Sequence, residues 1–142
     1  MVGLIGRCVY MVLCISCTYP PIATYEYTGS VDDLAVSLKK FAASNPEITF
    51  KFSRRDSTAQ KDNGDRDLDI EFKRDSSIIS YGLVCNQGQN TTEVELTSAF
   101  SHNNTYGGYG IKAPGVNKFL VYFEKDLLVR FKNQEHIDLV PK

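Results

Sequence analysis

Apolar and polar residues alternate along four stretches of the chain. Ile48, Phe50 and Phe52 form the first set; Leu68, Ile70 and Phe72 the second; Ile79, Tyr81, Leu83 and Cys85 the third; Val94, Leu96 and Phe100 the fourth. A period of two places each set on one side of an extended chain, so the four predict strands sharing one apolar face. Ile22 to Thr28 predicts an earlier strand, with Tyr25 and Tyr27 on one side. Between that strand and Ile48 the period changes. Val31, Leu34, Ala35, Leu38, Phe41 and Ala42 recur at helical spacing, with Lys39 and Lys40 outside the stripe. Ser30 and Asp33 make a capping pattern at its start, and Asn45-Pro46 ends it.

Phe119 to Glu124 and Leu127 to Lys132 predict a final hairpin across Lys125-Asp126. One face would carry Leu120, Tyr122, Leu127, Val129 and Phe131; the other Phe119, Val121, Phe123 and Leu128, then Arg130 and Lys132. A helix from Asn117 to Lys132 is the alternative, but the density of Val, Tyr and Phe favours strands. The fold expected is therefore α+β: one N-terminal helix packed on a mostly antiparallel sheet of about six or seven strands. The division expected along the chain is a leader over 1–16, a tether over 17–24, a single domain over 25–133 and a loose tail over 134–142.

Two stretches fall outside the alternation. Asp56 to Gly64 is polar apart from Ala59 and predicts a mobile loop, with Asn63-Gly64 as a turn signal. Ser101 to Lys118 is the longest gap in the sheet pattern and holds Tyr106-Gly107-Gly108-Tyr109-Gly110. Long loops inside compact domains often carry function, and tyrosines on glycine-rich backbone make broad, amphipathic contact residues. A hairpin apolar on both faces either is covered twice or meets a partner. Tyr106, Tyr109, Phe119, Val121 and Phe123 are therefore the expected partner-binding residues.

Charge narrows the partner. Among 142 residues, 16 Lys and Arg balance 17 Asp and Glu, a formal net charge of -1. A nucleic-acid binder needs a basic face, so nucleic acid is not the expected partner. Catalytic chemistry has little to build on. His102 and His136 are the two histidines, in the loop and the tail, and no His pair sits at metal spacing. Cys85 shares the inward strand face and reads as a small buried thiol. Asp67, Asp69, Glu71, Glu93 and Glu95 occupy outward strand positions, where they would stay solvated with ordinary pKa values. Asp65-x-Asp67-x-Asp69 has the opening of a calcium loop, but the sixth and twelfth positions are Ile70 and Ser76 instead of Gly and Glu. No cofactor, metal or small-molecule ligand is expected.

The N-terminus bears on the compartment. Arg7 precedes an apolar run, Cys8 to Ser16, and no further charge follows until Glu26. That is the layout of a secretory leader, about half the length of the roughly 20 residues a spanning helix needs. Cys14-Ile15-Ser16-Cys17 resembles the cleavage box of bacterial envelope lipoproteins, with Cys14 standing where a leucine-like residue is usual. The resemblance implies lipid attachment at Cys17, a mature chain starting there, and residence at the periplasmic face of the envelope. Cleavage without a lipid would instead imply secretion. Asn90-Thr91-Thr92 and Asn103-Asn104-Thr105 match the glycosylation pattern, which matters only in a eukaryotic secreted chain. The function expected is a small, envelope-anchored, non-catalytic binding protein with a protein partner, of the immunity or inhibitor type. The alternatives are a small envelope hydrolase using His102 with Cys85 or a carboxylate, and a structural envelope component.

Overall fold

The computed structural model describes residues 20–52, 66–74, 76–103 and 106–142. The leader with Cys17, and the polar 56–64 stretch, lie outside the described residues. In chain order the elements are β1 (Ala23–Tyr27), α1 (Val31–Ser44), β2 (Ile48–Phe52), β3 (Arg66–Arg74), β4 (Ser77–Gln87), β5 (Thr92–Ser101), β6 (Gly107–Tyr109), α2 (Val116–Tyr122), a π-helical turn (Phe123–Leu127), α3 (Leu128–Glu135) and β7 (Val140–Pro141). The described strands make one sheet of seven, ordered β2-β3-β4-β5-β1-β7, every pairing antiparallel, with β6 beside the far end of β5. The chain is α+β, as the alternation implied.

Leu68, Ile70 and Phe72 of β3, Ile79, Tyr81, Leu83 and Cys85 of β4, and Val94 and Leu96 of β5 are buried together on one face. α1 covers them with Val31, Leu34, Ala35, Leu38 and Phe41. The Ser30 hydroxyl accepts a bond from the Asp33 N–H at 3.1 Å, satisfying a donor that the first turn leaves open. At the other end the Asn45 side chain donates to the Phe41 carbonyl at 2.7 Å and to the Gln134 side chain at 2.8 Å. That second bond ties α1 to α3.

The expected final hairpin is a helix, and the sheet therefore carries two helices on its apolar face instead of one N-terminal helix. α2, the π turn and α3 run on as one body, burying Val116, Phe119, Phe123, Leu127 and Phe131. Four of these recur at a strict interval of four. On a regular α-helix such a row drifts by roughly 40° at each step. Within the π turn the Leu128 N–H bonds back five residues to the Phe123 carbonyl, and this wider turn takes up part of the drift. The row stays over the sheet, so residues drawn from both imagined hairpin faces end on one side. High strand propensity lost to the burial of a helical stripe.

At the start of the domain β1 lies within the strand expected over Ile22 to Thr28, and the Ile22 N–H bonds the Leu96 carbonyl at 2.7 Å. The tail is not loose: Leu139 is buried, and Val140 and Pro141 pair with Glu26 and Tyr25. Phe100 likewise leaves the core. Leu83 pairs with Leu96 but Gly82 with Ser98, so Thr97 is an extra residue in β5. A bulge of one residue exchanges the two faces beyond it. Ala99 turns inward, fully buried, and Phe100 turns out, 36% exposed.

Candidate functional site

The sheet face away from the helices is not covered by any described element. Its side chains are ordered by register. One row across five strands reads Lys51, Asp69, Gly82, Ser98 and Tyr109. The neighbouring row reads Thr49, Glu71, Ser80, Phe100 and Gly107. β3 thus lines one side with Asp67, Asp69 and Glu71, while Phe100 and Tyr109 stand on the other, their rings 5.2 Å apart and edge to face. Between them runs β4, low at Gly82. A Cβ on Gly82 would meet the Ser98 hydroxyl, which would have to rotate away, so glycine leaves room there for that hydroxyl. Asp67, Asp69, Gly82, Val84, Thr97, Ser98 and Tyr109 line a depression of ≈ 200 Å³.

The long loop is organised instead of wandering. β6 pairs with Ser98, Ala99 and Phe100, the Gly107 N–H bonds the Pro114 carbonyl at 2.7 Å, and the Gly110 N–H bonds the Thr97 carbonyl at 3.0 Å. Gly107 sits at φ 99° against the Ala99 carbonyl, where any side chain would clash. These bonds hold Tyr106 and Tyr109 out at 57% and 60% exposure, with Ile111 at 38%.

Of the expected partner-binding residues, then, Tyr106 and Tyr109 share one loop. Val121 is exposed on the outer side of α2. Phe119 and Phe123 are corrected: both are buried beneath the helix, Phe123 completely, because the helical phase turns them to the sheet. Phe100 and Ile111 join the exposed apolar set and were missed. The bulge that turns Phe100 outward has no marker in the local sequence. Cys85 is the buried inward thiol expected of it, and the Cys85–His102 pair of the hydrolase alternative is not formed. Cys85 lies fully buried on the helix side of β4, whereas the His102 ring hydrogen-bonds Ser80 on the open side. Alkylation of the folded domain is expected to leave Cys85 unmodified until denaturant is added, read as one adduct by intact mass; rapid labelling in buffer would contradict this burial. Asn103 uses its side chain within the fold, accepting from the Ile78 N–H and donating to the Ser76 carbonyl.

The outward carboxylates are not all ordinary. Burial raises the Asp69 pKa, Lys51 opposes that, and Asp67 and Glu71 add to it. Burial also raises Glu95, helped by its hydrogen bond with Glu93, which the Lys142 ammonium pulls down. A carboxyl raised on folding binds its proton more tightly in the folded chain. Stability from Asp69 is therefore fully present below the ordinary Asp value of about 4 and is lost as pH rises through the raised folded value. Asp69→Asn is expected to remove that decline: its urea midpoint at pH 7 should equal or exceed the parent's, with a flatter pH profile. A lower midpoint at pH 7 would show that Asp69 stabilises the fold through Lys51 instead.

Among the described residues no group of three or more His, Cys, Asp or Glu is arranged to hold a metal ion. No described helix is long and apolar enough to cross a membrane. No family model matches the chain, and no curated protein or solved structure does so either.

Proposed function

We propose that this chain is a non-catalytic protein-binding domain, held at the periplasmic face of a bacterial envelope by a lipid on Cys17 and acting as an immunity- or inhibitor-type protein. The observation that carries the reading is the exposed aromatic rim of Phe100, Tyr106 and Tyr109, fixed by β6 and the Gly107 and Gly110 bonds. Rigid rings of this kind lose little conformational freedom when covered, which is the usual economy of a recognition surface. The short entry supports the anchor. Five steps along the chain lead from Cys17 to Ile22, a reach of at most about 18 Å, and Ile22 and Gly110 are bonded to adjacent positions of β5. The rim would face a partner working close to the membrane.

The test has two parts. Mass spectrometry of the mature N-terminus is expected to find a diacylglyceryl group on Cys17; an unmodified terminus elsewhere would remove the anchor. A photoreactive phenylalanine analogue at Tyr109 is expected to give a discrete protein adduct in the intact envelope, and the same analogue at Val36, on exposed α1, none. Adducts from Val121 alone would move the interface to the helices.

A further inference from the structure

The open face also indicates what kind of segment it would bind. Its two walls differ in chemistry. Asp67, Asp69 and Glu71 make the β3 wall acidic, and Phe100 and Tyr109 make the opposite wall aromatic. From Asp69 to Tyr109 the row crosses three inter-strand spacings, about 14 Å between backbones, which admits one extended chain lying along β4. The floor is low from Gly82 to Val84, with Ser98 and Thr97 beside them, and the His102 ring on Ser80 closes the track at its other end. Lys51 stands at the edge of the acidic wall, its ammonium 3.8 Å from Glu71, and Lys142 is taken up by Glu93 at 2.7 Å. Acids dominate the centre of the face, and both carboxylates and ring faces attract cations.

We propose that the trough over β4 receives an extended segment of the partner protein bearing a lysine or arginine, whose alkyl stem crosses Gly82 and whose cation lies against Asp69. The inference rests on the binding reading above and adds the chemistry of the bound segment. The long stem suits a floor without a side chain, and Tyr109 and Phe100 flank it on the side away from the carboxylates. The partly buried Asp69 carboxyl, with Lys51 across from it and Asp67 and Glu71 beside it, gains from a further cation because burial has weakened its hydration. A site tuned this way gives up stability in the free domain for affinity in the complex.

The probe is a short capped peptide of alternating lysine and serine, titrated at low salt into the mature chain, with its glutamate counterpart as control. The expected result is saturable binding with amide shifts gathered at Asp69, Gly82, Ser98 and Tyr109, no binding of the glutamate peptide, and a loss of about fivefold in Asp69→Asn. Tyr109→Leu should weaken it similarly, and Asp32→Asn, on exposed α1, should leave it unchanged. Equal shifts around Asp32 and Asp33, or an Asp69→Asn chain that binds as the parent does, would overturn the inference. The two readings fail separately. A Tyr109 photoadduct whose yield is undiminished in Asp69→Asn sinks the cation subsite alone, and the absence of any adduct sinks the binding domain itself.

Discussion

Phe123→Ala is expected to destabilise the domain by about 3–5 kcal/mol, the usual range for truncating a buried phenylalanine. Phe123 has no exposed surface, and its ring lies 5.0 Å from that of Tyr81 and 5.9 Å from that of Tyr25. It also opens the π turn, so its loss hollows the one point where sheet and helix are phased to each other. Both tyrosines are committed elsewhere. Tyr81 donates to the Phe119 carbonyl at 2.7 Å, and Tyr25 to Glu124 at 2.8 Å, so neither ring can swing into the space without giving up a hydrogen bond. Set against a total of about 5–15 kcal/mol for a domain, the loss should lower the urea midpoint by about a fifth or more. A cost under about 1 kcal/mol would mean that the helix does not pack as described. Phe123→Leu, which keeps most of the volume, should recover much of the loss.

Asp126→Ala is the second large effect, at about 2 kcal/mol. Asp126 sits between two guanidinium groups. One oxygen pairs with Arg74 and the other accepts from Arg130 Nε at 2.7 Å, while Arg130 reaches on to Glu47. The four side chains join α3 and the π turn to the ends of β2 and β3. Their side chains are 25–35% exposed, so the cost belongs between the 1 kcal/mol or less of a surface pair and the roughly 3–5 of breaking a buried one. Arg74 also lies 4.1 Å from the centroid of the Tyr122 ring, a contact that survives the change and limits the damage. Removing the carboxylate leaves two cations facing each other. Arg74→Ala alone should therefore cost less than Asp126→Ala, and Asp126→Ala with Arg74→Ala less than the sum. Strict additivity in urea denaturation would show that the bridge contributes nothing as a unit.

Much of the architecture could be read from local pattern. α1 announces itself with a cap, a stripe and Asn45-Pro46, and the core of the sheet through Leu68 to Leu96 follows a simple alternation. The failures share a cause. Phe119, Phe123, Leu127 and Phe131 are spaced for a helix only if one turn is widened, and without that turn the same Val, Tyr and Phe residues look like strands. β7 is two residues long and exists because β1 offers it an edge, information that lies more than a hundred residues away. The same distinction separates the halves of the candidate site. Tyr106 and Tyr109 stood out by composition, among glycines in an otherwise patternless stretch. The trough of Asp69, Gly82, Ser98 and Tyr109 is a product of register across four strands, and no single stretch of sequence encodes it.

The odd residue in β5 has a consequence for how this chain can change. Before Thr97 the strand sends Val94 and Leu96 inward; beyond it the inward positions pass to Ala99 and Ser101, and a ring is delivered to the outside. Deleting Thr97 itself would flatten the bulge and leave each side chain on its present face, with Ser98 still across from Gly82, Ala99 under Tyr81 and Phe100 outside. Deleting a paired residue while the bulge stays would instead turn a phenyl toward Tyr81 and strip the aromatic wall. Lineages descended from this chain should therefore lose a residue from this strand at the bulge and not elsewhere along it.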